Sequence, residues 1–361
     1  MQLRNLVLGA LAALFVPAAA AAEKPFSRDD ARNIIRNLQK IVTPGGIDES
    51  IAVPINGTRQ WITVRGRDRR NPILLFIHGG PAAPETPTSW TFQNGWEDYF
   101  TVVEWDQRGA GKTYNANDPR KVGPTIALPQ MVADAETMVR YLRRAYAKPK
   151  IFVLGHSWGS LLGLTLAHEH PEWLYAYVGV GQMIDSAKSE RLDYLATLEA
   201  AENARNATAI NELKAIAPYP GKTLALDKVD TERKWSVKLG GLSYGRDSYA
   251  YYYDAGKLSP DYSDADFAAI DKGSALSLPR LLPALGAVDF ENMTDFRCPI
   301  VMFAGRHDTT TSSEVVAAWL KRVHAPVKKL VWFENSAHLI QIEEPGRMLV
   351  HLVEDVRPLA D

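Results

Sequence analysis

Cysteine is almost absent. Of 361 residues only Cys298 is a cysteine, so no intrachain disulfide can form and stability must come from a packed core. That thiol precedes Pro299 and an apolar run, a setting for a buried, inert side chain rather than a nucleophile. An excess of charge of one sign is also missing. The net charge is −1, which gives no electrostatic basis for a nucleic-acid or anionic-membrane partner. No H-E-x-x-H, cysteine pair or phosphate-binding glycine loop occurs, so neither a metal nor a cofactor is signalled. No period of 20–50 residues repeats, and no low-complexity tract follows the first 22 residues. Hydrophobic residues, at 46%, suffice for the core of one large domain, or of one domain carrying an insertion.

The chain opens on MQLRNLVLGALAALFVPAAAAAEKPF. Arg4 gives a positive start, Leu6 to Val16 an apolar stretch, and Ala20-Ala21-Ala22 a small-residue cleavage site. This is the layout of a secretory signal peptide over residues 1–22. The expected mature protein is exported, periplasmic or secreted, with no stable membrane association. An uncleaved anchor is the other reading, although the apolar run is short for a span.

Downstream come short apolar runs rich in β-branched residues: QWITVRG (60–66), PILLFIHGG (72–80), FTVVEWDQRG (100–109), KIFVLGHSWG (150–159), AYVGVGQ (176–182), PIVMFAGRHD (299–308) and KKLVWFENSAH (328–338). Continuous apolar strands suit a sheet buried on both faces. Helical patterns over 128–147 and 312–325 separate the later runs and imply a mainly parallel sheet with crossover helices. In such a sheet the chemistry collects at the carboxyl ends of the strands. From Ile184 to Asn292 the alternation stops, and the sequence becomes helical, then aromatic and Gly-rich. The expected organisation is a core over 23–183 with a helical prelude, a helical cap insertion over 184–292, and the rest of the core over 293–361.

KIFVL, then Gly155-His156-Ser157-Trp158-Gly159, then the helical SLLGLTLAHEH match G-x-S-x-G in a strand–turn–helix setting. In that motif a strained turn holds the serine Oγ clear of the backbone. The hydroxyl needs a base, itself oriented by a third group. Six histidines follow Ser157. His168 and His170 read as a helix face or end, and His324 and His351 lie in helical patterns. His338 follows strand KKLVWF in a short polar loop, where a strand-end base belongs. Asp308 closes the preceding strand and is the expected acid. Its competing role is an N-cap for the helix near Ser312, and Asp295 is the fallback acid. The oxyanion donors are expected to be the backbone N–H groups of Trp158 and Gly80, with His78 a buried, hydrogen-bonded histidine.

LLFIHGGP, VVEWDQRGAGKT, GHSWGS, GRHD and ENSAH, in this order, resemble the proline iminopeptidase branch of the α/β-hydrolase superfamily. The likeness covers roughly residues 48–182 and 293–358. It implies an α/β-hydrolase fold with a helical cap, a triad of Ser157, Asp308 and His338, and release of an N-terminal residue, typically proline, from small peptides. It also implies that Asp106 to Gly109 brace the oxyanion loop. Three positions depart from the branch. Ala82 follows Pro81 where glycine is usual, and His156 precedes the serine where glycine is usual. The branch holds the substrate ammonium through cap glutamates, one in a WSxWE segment; here that segment is Trp235-Ser236-Val237-Lys238-Leu239, with Glu232 nearby.

The function expected is hydrolysis through an acyl-serine intermediate, as an aminopeptidase on small peptides. The alternatives are a carboxylesterase or amidase on small acyl compounds, and an exported binding protein without catalysis. Tyr249, Tyr251, Tyr252 and Tyr253 are expected either to line an aromatic-friendly pocket or to pack within the cap.

Overall fold

The apolar runs assemble into one sheet. The computed structural model describes residues 25–360, so the leader expected over 1–22 lies outside the described residues. The strands are β1 (Ile47–Ile55), β2 (Thr58–Gly66), β3 (Ile73–Ile77), β4 (Thr101–Asp106), β5 (Ile151–His156), β6 (Leu174–Val180), β7 (Ile300–Gly305) and β8 (Lys328–Phe333). Their spatial order is β1-β2-β4-β3-β5-β6-β7-β8. β1 pairs antiparallel with β2 and β2 with β4; the pairs from β4 through β8 are parallel. The fold is that of an α/β hydrolase, as expected.

β1 has no counterpart among the apolar runs. It is an edge strand paired only with β2, and most of its residues are exposed or half-buried, so it carries no continuous apolar stretch. Its signal lies in the turn instead. Asn56 and Gly57 both take positive φ and close a two-residue hairpin, which is what an Asn-Gly pair is suited to.

β3, β4, β5 and β7 are buried along their whole length because both sheet faces are covered. On one face Leu75, Ile77 and Val103 join Met138 and Leu142 of helix Leu128–Ala145, Leu162 of helix Trp158–Glu169, and Trp319 of helix Ser313–Arg322. On the other, Phe76, Val102, Phe152 and Leu154 meet Phe92, Trp96, Met348 and Leu352. Burying each such side chain contributes about 1.5–3 kcal/mol. This double layer fixes the strand ends that carry the chemistry.

Between β6 and β7 lie five helices, Ser186–Asn203, Ala207–Ala215, Leu226–Lys238, Ala250–Gly256 and Asp264–Gly286. Tyr194, Leu213, Tyr219 and Trp235 give this segment a small core of its own. It also reaches the carboxyl ends of the strands. The Leu242 carbonyl accepts from the His338 N–H at 3.1 Å, and the Gly241 carbonyl from the Thr309 N–H at 3.1 Å. The N-terminal helix, Arg28–Leu38, starts on a Ser27–Asp30 capping box and holds the segment's far side, where Arg32 donates to the Ser259 carbonyl at 2.8 Å.

Candidate active site

Ser157 sits at φ 53°, ψ −123°, between the end of β5 and the start of the helix Trp158–Glu169. A serine at positive φ is strained, and the surrounding structure must impose that conformation. The two flanking glycines permit it. A Cβ on Gly155 would lie 2.7 Å from the Gly159 carbonyl oxygen, and one on Gly159 would lie 2.6 Å from the His78 carbonyl oxygen and closer still to that of Ile77. Any side chain at either position would force the strand, the helix and the loop after β3 apart. The Ser157 side chain opens into two cavities.

His338 and Asp308 come together from the ends of β8 and β7. The His338 Nδ1 lies 2.8 Å from the Asp308 Oδ2, and both side chains are buried. Asp308 also accepts from the Thr310 and Thr311 N–H groups at 2.8 and 2.9 Å and from the Thr311 hydroxyl at 3.1 Å. Its N-cap role is thus excluded for the following helix, whose N-cap is Ser312. The carboxylate caps its own turn and holds the imidazole at once. Gly181, at φ +52°, makes room for that ring: a Cβ there would lie 2.6 Å from the His338 Cε1. Asp295, the fallback, is exposed near His324 at the other end of β7. Of the remaining histidines, His170 stacks on Trp173, His168 lies edge-on to Phe296, and His351 binds Asp355.

The expected oxyanion donors flank the serine. Gly80, at φ +112°, turns the loop after β3, and Trp158 is the first helical residue after Ser157, where N–H groups have no intrahelical acceptor. Gln107 ties the two together. Its N–H donates to the His78 Nε2 at 3.2 Å, its amide nitrogen to the His78 carbonyl at 2.8 Å, and its amide oxygen accepts from the Trp158 Nε1 at 3.0 Å. His78 completes the brace by donating its Nδ1–H to the Gly79 carbonyl at 2.8 Å. Burial pushes the His78 imidazole down to about 4, so it is neutral, in keeping with an Nε2 that accepts. Arg108 and Asp134 anchor the brace by a buried ion pair at 2.7 Å.

A second polar cluster adjoins this site. The His156 Nδ1 is 3.1 Å from a Glu85 carboxylate oxygen, and its Nε2 is 3.1 Å from the main-chain carbonyl of His338. Glu85 also accepts from the Tyr252 hydroxyl and from the Gln341 amide at 3.3 Å. Burial alone would raise the Glu85 carboxyl; the hydrogen bond and charge of His156, with the Tyr252 bond, outweigh it and hold the group below the usual carboxylate range. Glu343 fixes the other side of the loop by accepting from the Ala337 and Leu339 N–H groups at 3.0 and 3.1 Å, one on each side of His338. Burial nevertheless pushes the Glu343 carboxyl up to about 7.

Two cavities meet at Ser157. One, of about 240 Å³, includes Trp158, Met183, Leu282, Glu190, Asp230 and Arg233 in its lining. The other, of about 350 Å³, includes His338, Tyr249, Tyr252, Tyr253 and Phe267. Glu232 lines neither. It is fully buried and bound by the Thr197 hydroxyl at 3.0 Å and by Arg233. Cys298 is buried too, its thiol pushed up to about 12 by that burial, as expected of an inert side chain. Among the described residues, Glu136, Glu169 and His170 are a trio close enough to share a metal ion; they lie in neither cavity.

Residues 72–345 match the family of the alpha/beta hydrolase fold. The chain belongs to the α/β-hydrolase family. It is 30% identical over 296 residues to a Bacillus subtilis (strain 168) protein named "Probable aminopeptidase YbaC", which covers 81% of this chain and 91% of that one. A proline iminopeptidase of Neisseria gonorrhoeae is 36% identical over 99 residues, 27% of this chain and 29% of that one. Among solved structures, a proline iminopeptidase of Mycobacterium smegmatis superposes with a TM-score of 0.60 at 17% identity, over 87% of this chain and all of that one, which speaks to fold alone.

Within this α/β hydrolase, sequence reasoning names Ser157, His338 and Asp308 as candidates from strand-end positions, and the last two are in contact. It misses Glu85, Glu343 and Arg233. Glu85 is 71 residues from His156 and sits in a loop with no periodicity, so only the fold brings the pair together. For Glu343 no local signal exists either, since its partners are backbone groups.

Proposed function

We propose that this α/β hydrolase cleaves acyl compounds through a covalent acyl-serine intermediate, with Ser157 as nucleophile, His338 as general base and Asp308 as its orienting acid. The observation that carries the reading is the 2.8 Å contact between His338 and Asp308 beside a serine held at positive φ. His338 takes the Ser157 proton as Oγ attacks the carbonyl carbon, and the carbonyl oxygen becomes an oxyanion facing the backbone N–H groups of Gly80 and Trp158. His338 then gives the proton to the leaving group as the bond to the carbonyl carbon breaks. Water repeats the cycle on the acyl-serine and frees the acid.

We place the acyl group in the smaller cavity and read the substrate as a short peptide or aminoacyl compound that loses its N-terminal residue. A space of about 240 Å³ suits one residue, and its lining includes Asp185, Glu190 and Asp230 against the cation Arg233. That excess of negative charge favours an ammonium group. The B. subtilis relative, named as an aminopeptidase and similar along most of its length, supports the same reading. A carboxylesterase or amidase is the second reading. It is favoured by Glu232, which is sequestered by Arg233 and Thr197 rather than offered to a substrate. Rates on prolyl and alanyl anilides beside p-nitrophenyl esters separate the two, and Ser157→Ala tests the mechanism common to both: undiminished turnover by that variant would refute it. We further propose export of the mature chain, tested by N-terminal sequencing of the extracytoplasmic protein, which should start just after Ala22.

A further inference from the structure

We infer that the larger cavity is a leaving-group subsite that selects aromatic, uncharged leaving groups. This rests on the acyl-serine mechanism proposed above.

The stereochemistry of acyl transfer assigns the two cavities. In the tetrahedral intermediate the oxygen points at the oxyanion donors, and the leaving group must lie where the base can protonate it. Trp158 lines only the smaller cavity and His338 only the larger, while Gly80 and Ser157 line both. The group protonated by His338 therefore departs through the larger cavity, and the acyl part remains in the smaller.

The larger cavity's chemistry is legible in its wall. Tyr249, Tyr252, Tyr253 and Phe267 are contributed by the helical segment between β6 and β7 and line the cavity together with Ser157. The hydroxyls of two of these are already engaged: Tyr252 donates to Glu85, and Tyr253 donates to the Asp271 carboxylate at 3.1 Å. Tyr253 and Phe267 pack with ring centroids 4.7 Å apart at 64°, an edge-to-face pair that holds the wall rigid. What these two tyrosines and Phe267 offer a ligand is ring face. An aromatic group placed there gains apolar burial and further ring–ring contacts, which favour it over an aliphatic group of similar reach.

Charge sets the second preference. Among the described residues, the lining contains two carboxylates, Glu85 and Asp271, and no lysine or arginine. Glu85 is satisfied by three partners, but Asp271 is exposed and carries its charge at the cavity's edge. A leaving group with its own carboxylate would meet repulsion from Asp271 with no lysine or arginine in the lining to offset it, and His156 is already engaged by Glu85 and the His338 carbonyl. The subsite thus suits the amide of an aromatic residue, an aromatic second residue within a longer peptide, or an aryl alcohol, over a free aromatic amino acid.

The test compares kcat/KM, which reports acylation, for substrates that share one acyl group. Alanine benzyl ester is set against alanine methyl ester, and Ala-Phe-amide against Ala-Gly-amide and Ala-Phe with a free carboxylate. The expected result is a preference of about tenfold for benzyl over methyl and for Phe-amide over Gly-amide, the scale of one apolar pocket contact. Tyr249→Ala, at a half-exposed position whose loss the fold can absorb, should cut the ratio of benzyl to methyl ester kcat/KM severalfold. Asp271→Asn should raise the rate on free Ala-Phe relative to its amide. Equal rates for benzyl and methyl esters, untouched by Tyr249→Ala, would overturn the inference. Ester turnover that persists in Ser157→Ala would instead remove the mechanism beneath it, so the two failures are distinct.

Discussion

The His156 imidazole donates from its Nε2 to the main-chain carbonyl of His338 at 3.1 Å, and the two rings lie with centroids 4.9 Å apart. The residue before Ser157 thereby holds the His338 loop, and with it the proposed base, in place. Both ring nitrogens of His156 are engaged, since a Glu85 carboxylate oxygen lies 3.1 Å from the Nδ1. Relative to the branch that the sequence resembles, His156 is a departure, and its partner Glu85 lies three residues after another, Ala82.

Removing that pair should misplace the base without abolishing the site. His156→Ala is expected to lower kcat by about 10–100-fold with KM near its original value, because a base displaced by a fraction of an ångström loses rate before it loses binding. Glu85→Gln keeps a hydrogen-bond acceptor and should cost less than His156→Ala. Steady-state kinetics decides this; full kcat in His156→Ala would contradict it.

The acid predicts a steeper loss. Asp308→Asn leaves the side-chain shape and removes the charge facing His338, so the ring can settle in the wrong tautomer. A fall in kcat of about 10⁴ is expected, with the melting temperature changed little by comparison. Retention of a tenth of the activity would show that Asp308 serves its turn and not the base.

Space for the His338 ring depends on Gly181. Gly181→Ala adds a Cβ 2.6 Å from the ring's Cε1 at a residue with φ +52°, so the ring must move and the backbone is strained by about 1–2 kcal/mol. Activity should fall on the order of 100-fold in a protein that still folds. Gly45→Ala, whose added Cβ would meet only an Asp68 oxygen at 3.8 Å, is the control and should behave as the unaltered protein.

Buried His78 predicts acid lability with a defined sign. Its folded value of about 4 lies below the ordinary 6.5, so the unfolded chain binds the proton more readily. The neutral ring's contribution is present in full above about pH 6.5 and is lost as pH falls through 6.5 towards 4, amounting to about 3 kcal/mol. Urea unfolding at pH 7 and pH 4 should find that the unaltered protein loses about that much more stability than His78→Gln. A difference independent of pH would contradict the assignment.

Much of this architecture is legible in the sequence. Seven apolar runs announce strands because a sheet covered on both faces needs no polar alternation, and G-x-S-x-G, GRHD and ENSAH fall where strand ends must be. Asp308 and Asp295 are separable by the end of β7 each would occupy. The hidden part depends on contacts distant along the chain. β1 is an exposed edge, so burial writes no pattern into it. Glu85 and Glu343 act on partners that nothing in their local sequence identifies. The ammonium-binding glutamate of the branch that the sequence resembles can be sought by motif, and Glu232 lies nearest to that motif; only packing shows that Arg233 and Thr197 already occupy its carboxylate. The tyrosine run reads as either pocket or packing, and its members divide: Tyr249, Tyr252 and Tyr253 line the larger cavity, while the Tyr251 hydroxyl bonds Ser243 at 2.7 Å.

The central claim is that Ser157 is a nucleophile activated by His338. Its most direct test is incubation of the purified protein with a fluorophosphonate, followed by mass spectrometry of the proteolytic peptides. A single covalent adduct on Ser157 is expected, formed rapidly in the unaltered protein, slowly in His338→Gln and not at all in Ser157→Ala. Failure of Ser157 to react, or equal labelling in His338→Gln, would contradict it.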